Sequence, residues 1–221
     1  MEQIRYAIAD DHPVFISGLV TNLNRYQDLT FVFAAKDGDE LIYKLKFKEN
    51  HVDVILLDIK MPKMSGLAAL QTIRQNDPTV RIIILTGTED DSYIFKMIEE
   101  KANSYLIKNS ETSEIYQAII NCMELGFYFP EYVKDALLNK EVRKNRLNPK
   151  ESKQYIELTL REKEVLKLIF EEKNSMEIGQ LLHISERTVD GVKAKLLEKT
   201  QTRNMVGLVL FCYRNELVNL F

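Results

Sequence analysis

Two short apolar runs limit what this chain can become. Val54-Ile55-Leu56-Leu57 and Ile82-Ile83-Ile84-Leu85 are β-rich and show no in–out alternation. Strands of that kind are covered on both faces, as the central strands of parallel sheets are. Each run ends on a polar side chain, Asp58 and Thr86. Three further β-rich runs surround them, so strands are predicted near 4–9, 30–35, 53–58, 80–86 and 103–107. Amphipathic stretches near 13–25, 38–48, 65–75, 90–101 and 111–125 alternate with them. Five βα units of this spacing predict an α/β fold, a doubly wound five-stranded parallel sheet.

The carboxyl ends of the strands in such a sheet line one crevice, where ligands bind. Asp10-Asp11 follows the first run, Asp58 the third, Thr86 the fourth and Lys108 the fifth. Three carboxylates, a hydroxyl and an ammonium therefore converge. Magnesium is a hard cation that takes carboxylate, carbonyl and water oxygens. Asp11 and Asp58 are placed to bind it directly, Asp10 through a water, and the Lys60 carbonyl supplies another ligand. Lys108 and Thr86 suit a phosphoryl group on a carboxylate, which needs neutralised charge and stabilised oxygens.

From Thr159 onward the pattern is helical only. Thr159-Leu160-Arg161-Glu162 reads as a capping box, with Val165, Leu168 and Ile169 as the buried stripe behind it. Ile178, Leu181 and Leu182 form the next stripe. His183-Ile184-Ser185 connects to a third helix with Val189, Val192 and Leu196 inward, and a fourth runs from about Met205 to Leu217. Between the two regions, Pro130 opens a helix to about Glu141, and the polar stretch from Lys140 to Lys153 reads as a linker. The predicted divisions are 1–125, 126–155 and 156–221.

Charge is distributed unevenly. Of 30 basic and 33 acidic side chains, residues 1–125 carry 13 and 19, residues 126–155 carry 7 and 4, and residues 156–221 carry 10 of each. The acidic front suits a cation site. The balanced tail makes a purely electrostatic case for nucleic acid weak. No apolar run reaches the length of a membrane span, and the chain enters a strand at once, so neither membrane segment nor leader is expected. Cys122 and Cys212 lie far apart in helical patterns, which reads as buried free thiols in a reducing cytoplasm.

The front half resembles a response-regulator receiver domain. The carrying residues are Ala9-Asp10-Asp11-His12-Pro13, Leu57-Asp58-Ile59-Lys60-Met61-Pro62, Leu85-Thr86-Gly87 and Ser104-Tyr105-Leu106-Ile107-Lys108. The resemblance implies that Asp58 accepts a phosphoryl group from a sensor histidine kinase, with Asp10 and Asp11 holding Mg2+. It also implies that Thr86, Lys108 and Tyr105 sense the phosphate. The family usually carries proline after the lysine; Asn109 stands here. His12 is given no catalytic role.

Residues 158–217 resemble the LuxR-type helix-turn-helix that follows receivers in NarL-type regulators. Leu158-Thr159-Leu160-Arg161-Glu162-Lys163-Glu164-Val165-Leu166 and Ile184-Ser185-Glu186-Arg187-Thr188-Val189 carry it. In such proteins the second helix of the motif enters the major groove of double-stranded DNA. Ser185, Arg187, Thr188, Asp190, Lys193, Lys195, Lys199 and Arg203 are the expected DNA contacts. The face is sparse: Gly191 and Ala194 offer no polar contact, and Asp190 repels phosphate while it can accept from a cytosine amino group.

Together these readings describe a cytoplasmic transcription regulator, not an enzyme, that forms homodimers when phosphorylated. One rival is a receiver whose tail binds protein. Another is a magnesium-dependent aspartate-nucleophile phosphatase, which needs a second acid two residues after the nucleophile. Lys60 stands at that place, which argues against efficient acid–base turnover.

Overall fold

A computed structural model describes residues 3–87, 91–137, 156–215 and 217. It divides into two compact units, residues 1–123 with 128–130, and residues 124–127 with 131–221.

The first unit is a five-stranded parallel sheet in the order β2-β1-β3-β4-β5. The strands are β1 (Ile4–Ala9), β2 (Leu29–Ala35), β3 (Val54–Leu57), β4 (Arg81–Thr86) and β5 (Ser104–Ile107). The helices are α1 (Pro13–Leu23), α2 (Gly38–Lys44), α3 (Gly66–Asn76), α4 (Asp91–Glu99) and α5 (Thr112–Glu124). The two unalternated runs are the central strands, and Val54, Ile55, Leu56, Leu57, Ile82, Ile83 and Ile84 are completely buried. On one face they pack with Leu19 and Leu23 of α1 and with Ile115, Ala118, Ile119 and Cys122 of α5.

Strand order reverses between β1 and β3, and a crevice opens where it does. There the sheet's ends are tied together. The Asp58 N–H donates to the Ala9 carbonyl at 2.8 Å, and the Lys108 N–H donates to the Thr86 carbonyl at 2.7 Å.

Helix α2 stops short of its predicted end near residue 48. The Asn50 side-chain amide donates to the Lys44 carbonyl at 3.0 Å, occupying one of the carbonyls that a longer helix would use. A 3-10 turn, Lys48–Asn50, follows.

In the second unit, residues 131–137 are helical (α6). The linker predicted for 140–153 lies outside the described residues. Helices α7 (Leu160–Phe170), α8 (Ser175–Leu182), α9 (Glu186–Lys199) and α10 (Met205–Arg214) follow. Lys134 of α6 pairs with Glu172 at 2.8 Å. The capping box is formed: Thr159 accepts from the Glu162 N–H, and Glu162 accepts from the Thr159 N–H. The predicted stripes need four corrections. Leu166 is buried where Leu168 is only half-buried, Val192 and Leu182 are half-buried, and Leu181 is 55% exposed. Helix α8 has only eight residues, so its inward arc narrows to Ile178 and Gly179.

Cys122 and Cys212 are free and buried. No described helix is long and apolar enough to cross a membrane.

Candidate functional site

The crevice gathers the side chains predicted from the strand ends. Asp10, Asp58 and Thr86 are buried to 3% exposure or less. Lys108 Nζ lies 2.7 Å from Asp10 Oδ2 and 2.8 Å from Asp58 Oδ2, and 5.1 Å from the centre of the Phe15 ring. One ammonium therefore holds two carboxylates that would otherwise repel each other across a poorly solvated gap. A cleft of about 480 Å³ opens over them, lined by Phe15, Asp58, Lys60, Thr86 and Lys108 among others.

Burial pushes the Asp58 carboxyl above its ordinary range, and the charge of Asp10 adds to the push; the Lys108 hydrogen bond opposes it without prevailing. For Lys108, burial acts downward but is outweighed by the pull of Asp10 and Asp58, so its pKa is raised. A pocket with two buried carboxylates and one lysine is short of positive charge.

A divalent cation fits that shortfall. Ligand atoms from Asp10, Asp11, His12 and Asp58 all lie within 4.8 Å of one another. Asp10 Oδ2 is buried, and the Lys108 ammonium at 2.7 Å is its polar contact among the described residues. Carboxylate oxygens of this kind suit magnesium.

Some of the site was missed in the sequence. His12 Nδ1 lies 3.0 Å from Asp10 Oδ1 and 2.8 Å from Asp11 Oδ1, so its imidazole sits on the acidic rim. Gly66 has the closest approach: a Cβ there would meet the Asp58 carbonyl oxygen at 2.0 Å. Its N–H donates to the Ile59 carbonyl at 2.9 Å. The start of α3 is thereby pressed onto the backbone of Asp58. A glycine opening a helix beside a candidate nucleophile was the signal available. Tyr105 is completely buried, and no described peptide bond is cis, that between Lys108 and Asn109 included.

On the second unit, α8, the turn at His183–Ser185 and α9 form a helix-turn-helix. Ser185 caps α9, accepting from the Thr188 N–H, and its hydroxyl lies 2.8 Å from that of Thr188. Arg187, Asp190, Gly191, Ala194, Lys195 and Arg203 are exposed. Two of the expected cationic contacts have protein partners. Lys199 Nζ donates to Glu162 Oε2 at 2.7 Å and to the Glu157 carbonyl at 3.1 Å. Lys193 Nζ donates to Ser175 Oγ at 2.7 Å.

A parallel sheet with an acidic, lysine-bridged crevice, in one chain with a helix-turn-helix, defines a DNA-binding response regulator of the two-component class. Residues 7–120 match the response regulator receiver domain, and residues 157–212 match the bacterial regulatory proteins of the luxR family. The chain belongs to the LuxR-type response regulators. It is 30% identical to the oxygen regulatory protein NreC of Staphylococcus epidermidis, over 97% of this chain and 99% of that one. It is 28% identical to the transcriptional regulatory protein LnrK of Bacillus subtilis, over 96% and 97%. Among solved structures, the RcsB response regulator of Salmonella typhimurium shares the fold, with a TM-score of 0.55 at 22% identity over the whole of both chains.

Proposed function

We propose that Asp58 is the phosphoacceptor of a switch that controls DNA binding by α9. The observation that carries this reading is the lysine bridge, which places Asp58 Oδ2 and Asp10 Oδ2 within 2.8 Å of one ammonium at the mouth of an open cleft. The donor is a phosphohistidine on a sensor kinase. An Asp58 carboxylate oxygen attacks phosphorus in line, the P–N bond breaks, and its electron pair stays on the leaving imidazole. Asp10, Asp11, Asp58 and the Lys60 carbonyl would hold Mg2+, which when bound would supply neutralising charge for the two anions. Lys108 keeps one hydrogen bond for the phosphoryl oxygens, and the Thr86 hydroxyl supplies another. Tyr105, which pairs with Ile84 two residues before Thr86 on β4, follows it.

Residues 1–125 act as the receiver, 126–155 as connector and 156–221 as the DNA-binding part. Arg187, Lys195 and Arg203 are the cations free to meet DNA, with Ser185, Thr188 and Asp190 beside them. Phosphorylation biases a pre-existing equilibrium toward homodimers on paired half-sites. The chain works as a phosphoacceptor with at most slow self-dephosphorylation; Lys60 beside Asp58 leaves no second acid for a phosphatase cycle.

The test is to incubate wild type and Asp58→Asn with a small phosphodonor and Mg2+, and to follow mass, dimerisation and duplex binding. Wild type should gain one phosphoryl group and bind duplex more tightly as a dimer, and Asp58→Asn should do neither. Equal DNA affinity with and without the phosphoryl group would sink the coupling.

A second reading has its own observation. With Lys193 and Lys199 both committed to protein partners, α9 offers few cations to phosphate, as a helix that binds protein would. Phosphorylation that leaves duplex binding undetectable at low salt would favour it.

A further inference from the structure

Ser175, in the first turn of α8, reaches across to the candidate recognition helix. Its Oγ donates to Asp190 Oδ1 at 2.7 Å and accepts from Lys193 Nζ at 2.7 Å. A hydroxyl has one hydrogen and two lone pairs, so it fills both roles at once. The three side chains form a relay from ammonium to hydroxyl to carboxylate. Asp190 and Lys193 lie three residues apart on one helix, where opposite charges ordinarily pair directly. The inserted hydroxyl joins Lys193 to one carboxylate oxygen only through its own hydrogen bonds. Among the described residues, Oδ2 of the exposed Asp190 has no hydrogen-bonding partner. Gly191 next to it leaves open space, with nothing within 4 Å of the position a Cβ would take.

An ionised carboxylate accepts hydrogen bonds and donates none. In the major groove it is repelled by phosphates and by the acceptor edge of guanine. It matches the exocyclic amino group of cytosine. We infer that Asp190 is a specificity-determining residue that reads a cytosine amino group, and that Ser175 is the positioning residue that sets its carboxylate, with Lys193 completing the relay. This inference rests on the reading of α9 as the groove-entering helix.

The test is selection of bound duplexes from a randomised library by the full-length, phosphodonor-treated chain, for wild type, Asp190→Ala, Asp190→Asn and Ser175→Ala. Affinities are then measured for the selected site, for each single base-pair change and for random duplex. Wild type should enrich a C·G pair at one position of each half-site, and changing that pair should weaken binding about tenfold. Asp190→Ala should lose most of that discrimination, and binding to random duplex should tighten, since a like charge has been removed. Asp190→Asn, close to isosteric, should move the preference toward adenine, which a side-chain amide matches. Ser175→Ala should blur the same position and no other. A shifted base preference is a readout that a purely structural role for Asp190 does not produce.

An unchanged enriched site in both Asp190 variants would overturn the inference while leaving DNA binding by α9 intact. Undiminished discrimination in Ser175→Ala would remove Ser175 from it. A wild-type chain that binds no duplex would bring down the inference together with the reading beneath it.

Discussion

At the scale of single residues, the lysine that bridges two buried carboxylates has the largest predicted effect. Removing it leaves two anions facing each other out of water, a loss that commonly costs about 3–5 kcal/mol. Lys108→Ala is therefore expected to lower the melting temperature of the first unit in chelator. Added Mg2+ should restore part of the loss, because a divalent cation can meet the same carboxylates. Differential scanning calorimetry with and without Mg2+ checks both statements. Glu162 supplies the pH prediction. Burial raises its pKa, but the Lys199 hydrogen bond and the Thr159 N–H outweigh burial and leave it lowered from 4.5. A lowered folded-state pKa stabilises above the unfolded value and is lost as pH falls through the folded one. The second unit should thus lose stability as pH drops below about 4.5. Glu162→Gln should flatten that acid limb and cost about 1–3 kcal/mol near neutrality, read by circular dichroism melts across pH. The strand-end residues Asp10, Asp58, Thr86 and Lys108 were legible in the sequence because a parallel sheet delivers strand ends to one edge. The partners of Lys199 were not, since Glu162 lies 37 positions away and no periodicity records which of several carboxylates a flexible lysine meets.

At the scale of elements, the β3–α3 junction is the most constrained. A methyl group on Gly66 would fall 2.0 Å from the Asp58 carbonyl oxygen, and what must move is backbone. Gly66→Ala is expected to destabilise the first unit by about 1–3 kcal/mol and to slow phosphoryl uptake by displacing Asp58. Rates of uptake from a small phosphodonor, together with melts, separate this from a stability loss alone. The strands and the order of the helices were readable because buried runs and amphipathic stripes repeat with distinct periods. Leu181 was misread for the opposite reason. It sits on a helical stripe with Ile178 and Leu182, yet α8 is so short that neighbouring elements cover only part of that stripe.

At the scale of the whole molecule, charge sets how DNA binding should respond to salt. The chain carries a net −3, so overall attraction to a polyanion is absent and binding depends on local cations. With Lys193 and Lys199 engaged in protein contacts, Arg187, Lys195 and Arg203 remain. The slope of log affinity against log salt is then expected to be about −3 per protomer, not the value of about −5 that all five cations would give. A titration of duplex binding between low and moderate salt measures it. The sequence showed all five cations but not where they point, because an arginine or lysine reads the same whether it faces solvent or a neighbouring helix.

The lysine bridge has a consequence for the kind of signal the crevice can emit. With its carboxylates ionised, the set Asp10, Asp11, Asp58 and Lys108 carries a formal charge of about −2. With a doubly charged phosphoryl group on Asp58 and one Mg2+ it carries about −1. Nearly isoelectric states differ little in the field they project beyond a Debye length of about 8 Å. A distant surface would therefore learn little of the phosphoryl group by electrostatics. On the proposal that Asp58 is the phosphoacceptor, news of it has to travel as displacement, through side chains that already touch the carboxylates and the strand ends that carry them.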